Sequence, residues 1–375
     1  MRIGVLTGIF HPDPGGPSTY LYHLLPELMA RGYGAEVVTF GQAGTQNADY
    51  GYPVKRAGGG RVRRLAGFLG AAWGVCGRAD VLFVHTLATL MLPILRLRFR
   101  RRIIVKVVGD WVWEMADRRK LTTLDVGAFQ QTALPLTLRV LKAYHRRAVR
   151  AADTVIVPSQ HVARLVEGWG VEPARIQVIY NAIPDPKLAD TPREALRNAL
   201  GLAPGKLIVS VARLTPVKGV DVMVRALEQL PDWRLVVIGD GPQRAALEAM
   251  PAAGRVTFTG LLAHEDVLRY LRAGDVYALS SRTEGLSHTL LEALAVATPS
   301  VASRVGGNPE VITDGVDGLL VPADDPTALA QAIRRLEDPM LYQTISTAAL
   351  ARSEAFRWDN EVAQTMAVLI PAPRV

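Results

Sequence analysis

Two glutamates, Glu284 and Glu292, lie eight residues apart in the segment SRTEGLSHTLLEA. The residues that follow Glu284 predict a helix, LSHTLLEALAVA, for which Ser287 is a natural N-cap. The first amides of such a helix lack partners and would be satisfied by an anion. Glu292 then lies about 7–8 Å along the axis, at roughly 1.5 Å per residue. That length resembles the separation between a nucleotide's phosphates and its ribose.

A carboxylate that accepts hydrogen bonds from two vicinal hydroxyls is a common way to bind a ribose. We therefore predict phosphates at the start of the helix, ribose at Glu292, and a reacting sugar nearer Glu284. The alternative is that one glutamate merely favours the helix dipole while the other is solvated.

Two cations follow an earlier predicted strand in the segment VSVARLTPVKG. Arg213 and Lys218 flank the short loop after this strand. Arg can bind two phosphate oxygens at once and Lys supplies a point charge, so the pair suits a diphosphate. Two solvated surface charges are the alternative.

Glycines recur where predicted strands turn into helices. Gly15 and Gly16 end the loop in TGIFHPDPGGPSTY, where a backbone without side chains can approach a phosphate at a helix start; a plain strand-to-helix turn is the alternative. Gly239 and Gly241 in IGDGP lack the third glycine of the dinucleotide fingerprint. This pattern favours a tight turn and gives little support to a nicotinamide cofactor.

Composition indicates a globular enzyme with two domains. The chain has 375 residues, of which 49% are hydrophobic and 21% charged. A single cysteine, Cys76, cannot form an intrachain disulfide and fits a reducing compartment. The opening MRIGVLTGIF predicts a buried strand and no secretory signal. The apolar stretch Val81 to Leu95 is too short to span a membrane and predicts a strand followed by a helix.

Positive charge is concentrated in the first half of the chain. Residues 1–186 contain 24 Lys and Arg against 13 Asp and Glu, a net +11, whereas residues 187–375 contain 19 against 22, a net −3. The basic residues cluster beside apolar ones at Arg61 to Val75 and at Arg96 to Arg102. Such segments can dock on anionic lipid headgroups; the alternative is a surface that is merely soluble. Nucleic acid is disfavoured because no nucleic-acid motif accompanies the charge.

Alternating short apolar strands and amphipathic helices predict two doubly wound α/β domains with parallel sheets. Predicted strands begin near residues 2, 35, 81, 103 and 154 in the first half and near 207, 234, 255, 276, 300 and 318 in the second. The proline-rich segment NAIPDPKLADTPREAL separates them. We predict a first domain at 1–184, a second at 193–345 and a terminal helix within 346–375. Two such domains imply a ligand-binding cleft at the carboxyl ends of their strands.

Taken together, the motifs resemble retaining family 4 glycosyltransferases, which have the GT-B fold. EGLSHTLLE resembles the family's E-x7-E element, and the Gly-Gly loop, ARLTPVKG, IGDGP, GGNPEVI, DGVDGLLVP and FRWDN follow in the family's order. The resemblance implies a donor site, with diphosphate, sugar and ribose bound by Arg213 and Lys218, Glu284, and Glu292 respectively. It also implies that the last helix, from about Trp358 to Leu369, crosses back to the first domain.

Other positions of the donor site follow from the same resemblance. Gly16, beside Gly15, would lie close to the donor phosphate or sugar. Amides at Gly285, Leu286 and Ser287 would complete the phosphate site. The IGDGP turn, with Gly239 and Gly241, is placed on the donor side.

One segment departs from the family pattern. In KVVGDWVWEM, Gly109 stands where many members have a histidine, and Asp110 follows it. In this family the leaving phosphate is usually described as taking the acceptor's proton in a front-face attack, so a protein base is not essential. The Gly109 carbonyl remains a candidate to contact a sugar hydroxyl. Gly109 and Asp110 are therefore candidate catalytic residues. Asp110, Trp111 and Glu114 are also candidates to shape the acceptor site.

Two histidines, His11 and His85, are further candidates to line the acceptor side. A structural role is the alternative for each.

These observations predict a retaining hexosyltransferase that uses a nucleotide-diphosphate sugar, a UDP- or GDP-sugar, and needs no metal or other cofactor. The expected acceptor is a glycan or lipid-linked intermediate in cell-surface polysaccharide or glycolipid synthesis. The expected location is the cytoplasm, at the inner face of the membrane. The alternatives are a nucleotide-sugar 2-epimerase of related fold and a catalytically silent partner subunit.

Overall fold

The computed structural model describes residues 1–13, 15–41, 49–122 and 124–370. The chain divides into two compact units: one contains Met1–Ile179 and Val362–Val375, and the other contains Tyr180–Glu361. The end of the predicted terminal segment, residues 371–375, lies outside the described residues.

The first unit is built on a parallel sheet with seven strands in the described residues, in the order β3-β2-β1-β4-β5-β6-β7. They are β1 (Arg2–Leu6), β2 (Gly34–Phe40), β3 (Val54–Ala57), β4 (Val81–His85), β5 (Arg102–Lys106), β6 (Thr154–Val157) and β7 (Ile176–Val178). Its helices are α1 (Gly16–Ala30), α2 (Arg61–Arg78), α3 (Leu92–Arg98), α4 (Trp111–Arg118), α5 (Val126–Gln131), α6 (Leu136–Arg150) and α7 (Gln160–Glu167).

The second unit has a parallel sheet with six strands in the order β10-β9-β8-β11-β12-β13, counted over the residues described. They are β8 (Lys206–Val211), β9 (Trp233–Ile238), β10 (Val256–Gly260), β11 (Val276–Leu279), β12 (Ser300–Ser303) and β13 (Leu319–Val321). Its helices are α8 (Arg193–Ala199), α9 (Val220–Glu228), α10 (Arg244–Glu248), α11 (His264–Ala273), α12 (His288–Ala295), α13 (Asn308–Val311), α14 (Pro326–Arg335) and α15 (Pro339–Ser353).

The last helix, α16 (Trp358–Leu369), begins in the second unit, and its residues from Val362 onward belong to the first. Within the first unit, the hydroxyls of Tyr20 on α1 and Thr365 on α16 lie 3.0 Å apart, and Thr365 is fully buried. This buried polar contact attaches the end of α16 to α1.

The prediction of two doubly wound parallel sheets is confirmed. Strands in such sheets are covered on both faces, so their apolar residues run continuously; Ile103, Ile104 and Val105 of β5 are all fully buried. The predicted strand and helix between Val81 and Leu95 are also present, as β4 and α3 joined by a 3₁₀ turn.

Two strands, β3 and β7, were not predicted from the sequence. Both lie at the edges of the first sheet and are only four and three residues long. An edge strand pairs with a neighbour on one side only. The residues of these two strands, VKRA and IQV, are mostly half-buried or exposed and show too little apolar pattern to be recognised.

No helix within the described ranges, which omit residues 14, 42–48, 123 and 371–375, combines the length and apolar character needed to cross a bilayer.

Candidate functional site

The helix predicted to bind a nucleotide is α12. Its N-cap is Ser287, as predicted, and the Ser287 hydroxyl accepts a hydrogen bond from the Leu290 amide at 3.3 Å. Leu290, Leu291 and Leu294 are fully buried and anchor the helix to the core. Glu292 is the fifth residue of α12 and is 8% exposed, so the carboxylate is held by a rigid, well-packed element.

Lys218 and Glu284 form an ion pair in the second unit. The Lys218 Nζ lies 2.5 Å from Glu284 Oε1, which also accepts a hydrogen bond from the Ser281 hydroxyl at 2.7 Å. Lys218 ends a 3₁₀ turn after β8, and Glu284 lies in the loop after β11. Because β8 and β11 are neighbours in a parallel sheet, their carboxyl ends bring together residues 66 positions apart.

Arg282 joins the two loops that carry this ion pair. Its backbone amide donates to the Val217 carbonyl at 2.7 Å, and its guanidinium donates to the Pro216 carbonyl. The guanidinium also binds both carboxylate oxygens of Asp221 on α9, at 3.1 and 3.0 Å. Burial raises the pKa of Asp221, but the hydrogen bonds and charge of Arg282 outweigh it and lower that pKa below its ordinary value. The Lys218 loop is thereby fixed against the Glu284 loop.

Gly306, in the loop after β12, supports the Glu284 loop from another side. Its φ is +55°, and a Cβ there would lie 1.7 Å from the backbone oxygen of Glu284. Only glycine permits this approach without displacing the loop. Gly219 has a similar function beside Lys218, since a Cβ there would lie 2.0 Å from the Ser280 oxygen and its φ is +60°.

Gly239 and Gly241 form the tight turn that the sequence favoured. A Cβ at Gly239 would lie 2.1 Å from the Ala212 oxygen, and one at Gly241 would lie 2.5 Å from the Leu214 oxygen. These two glycines therefore pack against the backbone on either side of Arg213. Arg213 itself is exposed and forms no ion pair with a carboxylate among the residues that the structure describes.

Glu292 has a partner that the sequence did not reveal. The Nε2 atom of His264, the first residue of α11, lies 2.9 Å from Glu292 Oε1. This hydrogen bond is the main reason why the pKa of His264 is raised above its ordinary value, with the charges of Glu292 and Glu265 adding to it.

The charges of Glu284 and Glu292 both act on Tyr277 of β11. Burial, and then the negative charges of Glu284 and Glu292, raise the pKa of this phenol far above its ordinary value. The phenol of Tyr277 therefore stays neutral beside these two negative charges.

In the first unit, the predicted loop residues surround the start of α1. Gly15 occupies the N-cap position with φ +146°, and Gly16 is the first residue of the helix. The His11 ring stacks on Tyr22 with ring centroids 4.1 Å apart, and its Nδ1 lies 3.2 Å from the Tyr50 hydroxyl. His11 thus belongs to an aromatic cluster at the carboxyl end of β1.

His85 is buried at the end of β4, with 1% of its surface exposed. Burial lowers its pKa well below the ordinary value, and the charge of Lys106 lowers it further, so the ring is neutral. Its Nε2 has no hydrogen-bond partner within the described part of the chain.

Asp110 is buried, and its carboxylate accepts hydrogen bonds from two backbone amides and from one side chain. Its Oδ1 accepts from the amides of Val112 and Trp113, which caps α4, and its Oδ2 accepts from Gln130 Nε2 at 2.8 Å. The geometry gives Asp110 a structural function as an N-cap; a catalytic function for it stays a prediction.

The neighbours of Asp110 are more accessible. Gly109 and Trp111 are half-buried, and Glu114 is exposed. A Cβ at Gly109 would lie 3.0 Å from Glu114 Oε1, so this carboxylate lies directly over the glycine.

No group of three or more His, Cys, Asp or Glu side chains could hold a metal ion, within the part of the chain that the structure describes.

The arrangement in the second unit suits an elongated anionic ligand. Cationic Arg213 and Lys218 and the amides of α12 can bind phosphates, and two separate carboxylates can accept from hydroxyls. Sequence reasoning missed the residues that position these groups, Ser281, Arg282 and His264. Arg282 and Ser281 adjoin Glu284 in sequence, but nothing in the sequence connects His264 with Glu292, since they come together only through packing of α11 on α12.

Both halves of the chain are similar to known glycosyltransferases. A family model for group 1 glycosyl transferases matches residues 205–338, and a model for glycosyltransferase family 4 matches residues 14–185. The D-inositol 3-phosphate glycosyltransferase of Mycolicibacterium vanbaalenii is 34% identical over 240 residues, which cover 58% of this chain and 52% of the relative. The chain thus spans about half the length of the curated relatives it matches.

Solved structures share the fold over nearly the whole chain. Sucrose-phosphate synthase from Thermosynechococcus elongatus has a TM-score of 0.82 and 23% identity, covering 98% of both chains. Anabaena Alr3699/HepE, solved in complex with UDP-glucose, has a TM-score of 0.78 and 23% identity, covering 98% of this chain and 100% of that one. The chain thus contains a domain of glycosyltransferase family 4, followed by a domain of the group 1 glycosyl transferases, and it shares the GT-B fold of the solved structures.

Proposed function

We propose that this protein transfers a hexose-type sugar from a nucleotide-diphosphate sugar to a glycan or lipid-linked acceptor, with retention of anomeric configuration. The observation that carries the proposal is the Lys218–Glu284 ion pair, fixed by Arg282 at the carboxyl ends of β8 and β11. The solved relative that binds UDP-glucose supports a UDP-sugar as the first donor to test.

Donor binding requires the ion pair to rearrange. In the structure Lys218 is neutralised by Glu284, and both side chains are largely buried, 27% and 9% exposed. A diphosphate would take over Lys218, which frees Glu284 to accept from hydroxyls of the sugar. The charge of Lys218 is therefore compensated by Glu284 before the donor enters and by the diphosphate afterwards.

The proposed chemistry is chiefly electrostatic. Negative charge grows on the departing diphosphate, and under this proposal Arg213, Lys218 and the α12 amides stabilise it. The leaving phosphate then takes the acceptor's proton. Under this proposal no metal ion is needed, and turnover in the presence of EDTA should equal turnover in its absence.

The donor can be identified by thermal unfolding of the full chain with UDP-, GDP- and ADP-sugars. A true donor stabilises the folded state by mass action, by about 2.7 kcal/mol at a hundred times its Kd. The same sugars are then incubated with glycan, lipid-linked and D-inositol 3-phosphate acceptors, the last suggested by the name of the curated relatives. NMR of the anomeric proton in the product reports retention or inversion.

The products also separate the alternatives. A glycosylated acceptor supports transfer, whereas an epimerised sugar without acceptor product supports the 2-epimerase. Donor binding without either product supports a silent partner subunit. If no nucleotide sugar stabilises the protein, the proposal is wrong.

We further propose that the first unit docks on an anionic membrane surface. Val62, Leu65 and Trp73 of α2 are 83%, 52% and 47% exposed and follow one face of the helix. Arg61, Arg63 and Arg64 lie in the first turn of the same helix and are exposed, and the Arg64 guanidinium lies 5.5 Å from the centroid of the Phe40 ring.

The second basic segment, after α3, adjoins the same surface. Trp73 contacts Phe99 with ring centroids 4.8 Å apart, and Arg101 donates to the Gly77 carbonyl at 3.2 Å. Leu97, at 89% exposure, adds an apolar side chain beside Arg98. Apolar side chains flanked by arginines fit an interface between headgroups and acyl chains.

Sedimentation with phosphatidylcholine vesicles, with and without phosphatidylserine, tests this docking. Replacing Arg61, Arg63 and Arg64 by Gln should weaken binding by about 1 kcal/mol per residue. The control replaces Arg234, Arg269 and Arg335 by Gln, because these are exposed arginines of the second unit. Equal binding to both vesicle types, or an equal loss in the control, would refute the docking surface.

A further inference from the structure

His264 contacts Glu292, the proposed ribose ligand of the donor site, and has no role of its own in the function proposed above. His264 begins α11, and Glu292 lies within α12, 28 residues later. Their side chains meet at 2.9 Å through His264 Nε2 and Glu292 Oε1. The contact is asymmetric, because the Glu292 side chain is 11% exposed whereas the His264 side chain is 59% exposed.

A buried carboxylate can rotate about its terminal torsion unless a hydrogen bond fixes it. Among the residues described, the only side-chain hydrogen bond to Glu292 is the one that His264 makes to Oε1. The other oxygen, Oε2, is therefore left to accept from a ligand.

We propose that His264 is a positioning residue for donor recognition: by holding Oε1 of Glu292, it aims Oε2 at the ribose hydroxyls of the nucleotide. This inference rests on the proposed function, because it takes Glu292 as the group that binds the ribose hydroxyls. His264 does not itself need to touch the nucleotide. The proposal requires only a nitrogen that donates a hydrogen bond to Glu292 from the position of Nε2.

The raised pKa of His264 supports this arrangement, because it shows that the hydrogen bond favours the protonated ring. A hydrogen bond between charged groups orients its partner more strongly than a neutral one. The half-exposed position of His264 also makes it replaceable with little effect on folding.

Isothermal titration of the full chain tests the proposal, with UDP, GDP and ADP as probes, followed by the 2′-deoxy and 3′-deoxy forms of the tightest one. His264→Ala should weaken binding of the ribonucleotide about five- to tenfold, which is less than the loss of a direct hydrogen bond to a charged group, because His264 acts only through Glu292. It should weaken the deoxy forms less, so that the preference for ribose falls. His264→Gln should restore most of the affinity, because its amide nitrogen can reach the position of Nε2.

Two further variants keep the result interpretable. In a Glu292→Ala background, His264→Ala should cause no additional loss, as a double-mutant cycle requires for residues that act together. Arg269→Ala, an exposed residue on the same helix, should bind like the native protein. In turnover assays the His264→Ala loss should appear in KM for the donor, with kcat nearly unchanged.

The outcomes separate the two proposals. Native affinity in His264→Ala, or an equal loss for ribose and deoxyribose forms, would overturn the function of His264 while leaving the donor site intact. If the native protein binds none of the three nucleotides, the proposed function fails, and this inference fails with it.

Discussion

The two units share one architecture but use the carboxyl ends of their strands differently. In the second unit, charged side chains meet there: Lys218 with Glu284, and Glu292 with His264. In the first unit, the corresponding loops hold a stacked histidine, His11, and a buried neutral one, His85. A doubly wound sheet therefore provides a place for a site, while the loops decide whether charge can be held there.

The difference has a physical cause in how the loops pack. The charged groups of the second unit are carried by loops in direct backbone contact, at Gly306 with Glu284 and at Gly219 with Ser280. Such contact fixes the backbones that carry both partners of the ion pair, so less conformational entropy is lost when the pair forms. The contrast teaches that glycines beside the charged residues can determine whether a charged site is preorganised.

The most severe test of this contrast is Gly306→Ala. Alanine at φ +55° is strained, and its Cβ would collide with the Glu284 oxygen, so we expect a loss of about 2–4 kcal/mol in the free energy of unfolding. Turnover should fall further than stability explains, because the Glu284 loop must move. Denaturant titration and donor turnover measure the two effects.

The matched control is Gly254→Ala. No atom lies within 4 Å of a Cβ at that position, and its φ is not positive. It should leave stability within about 0.5 kcal/mol. Native stability and turnover in Gly306→Ala would show that the loop contact is not required.

The second test concerns the charge of the site. Lys218→Ala should weaken binding of a nucleoside diphosphate by about 1.5–3 kcal/mol, the scale of a hydrogen bond to a charged group. Calorimetry measures the loss. Lys206→Ala is the control, because Lys206 also pairs with a glutamate, Glu337, but is the first residue of β8 and so lies at the opposite end of the strand from Lys218. Unchanged affinity in Lys218→Ala would remove the assigned role.

The third test separates the two glutamates. Glu292→Ala should weaken nucleotide binding about ten- to a hundredfold, as loss of one charged hydrogen bond predicts. Glu284→Ala should leave binding near native, since it also releases Lys218 from its ion pair, but should lose turnover. Equal binding losses in the two variants would contradict this division of roles.

The smallest expected effect is the pH dependence of the His264–Glu292 contact. Because the folded state raises the pKa of His264 above 6.5, the stabilisation is full below that value and is lost as pH rises through the folded pKa. The native protein should therefore exceed His264→Gln in stability most clearly near pH 6 and least near pH 8, by roughly a few tenths of a kcal/mol, because His264 is half-exposed. Thermal unfolding across this range measures it, and a constant difference would contradict the assignment.

Much of the fold and part of the candidate site could be predicted from the sequence alone. The long apolar strands of both sheets, the helix after Glu284 and its Ser287 cap are local patterns, and each was predicted correctly. The edge strands β3 and β7 were missed because a strand of three or four residues depends on its neighbour and not on its own pattern. Asp110 was considered for the acceptor site, whereas its contacts with Val112, Trp113 and Gln130 appear only once the chain is folded.

The sequence by itself determined which groups are available for donor binding and how far apart they lie along one helix, because spacing within a helix follows from its fixed rise per residue. Tertiary structure decided which of them meet. Lys218 reaches Glu284 across 66 residues because β8 and β11 are adjacent, and His264 reaches Glu292 because α11 packs on α12. Strand order and helix packing are set by the whole core, and so the partners of each charge cannot be read from the chain near it.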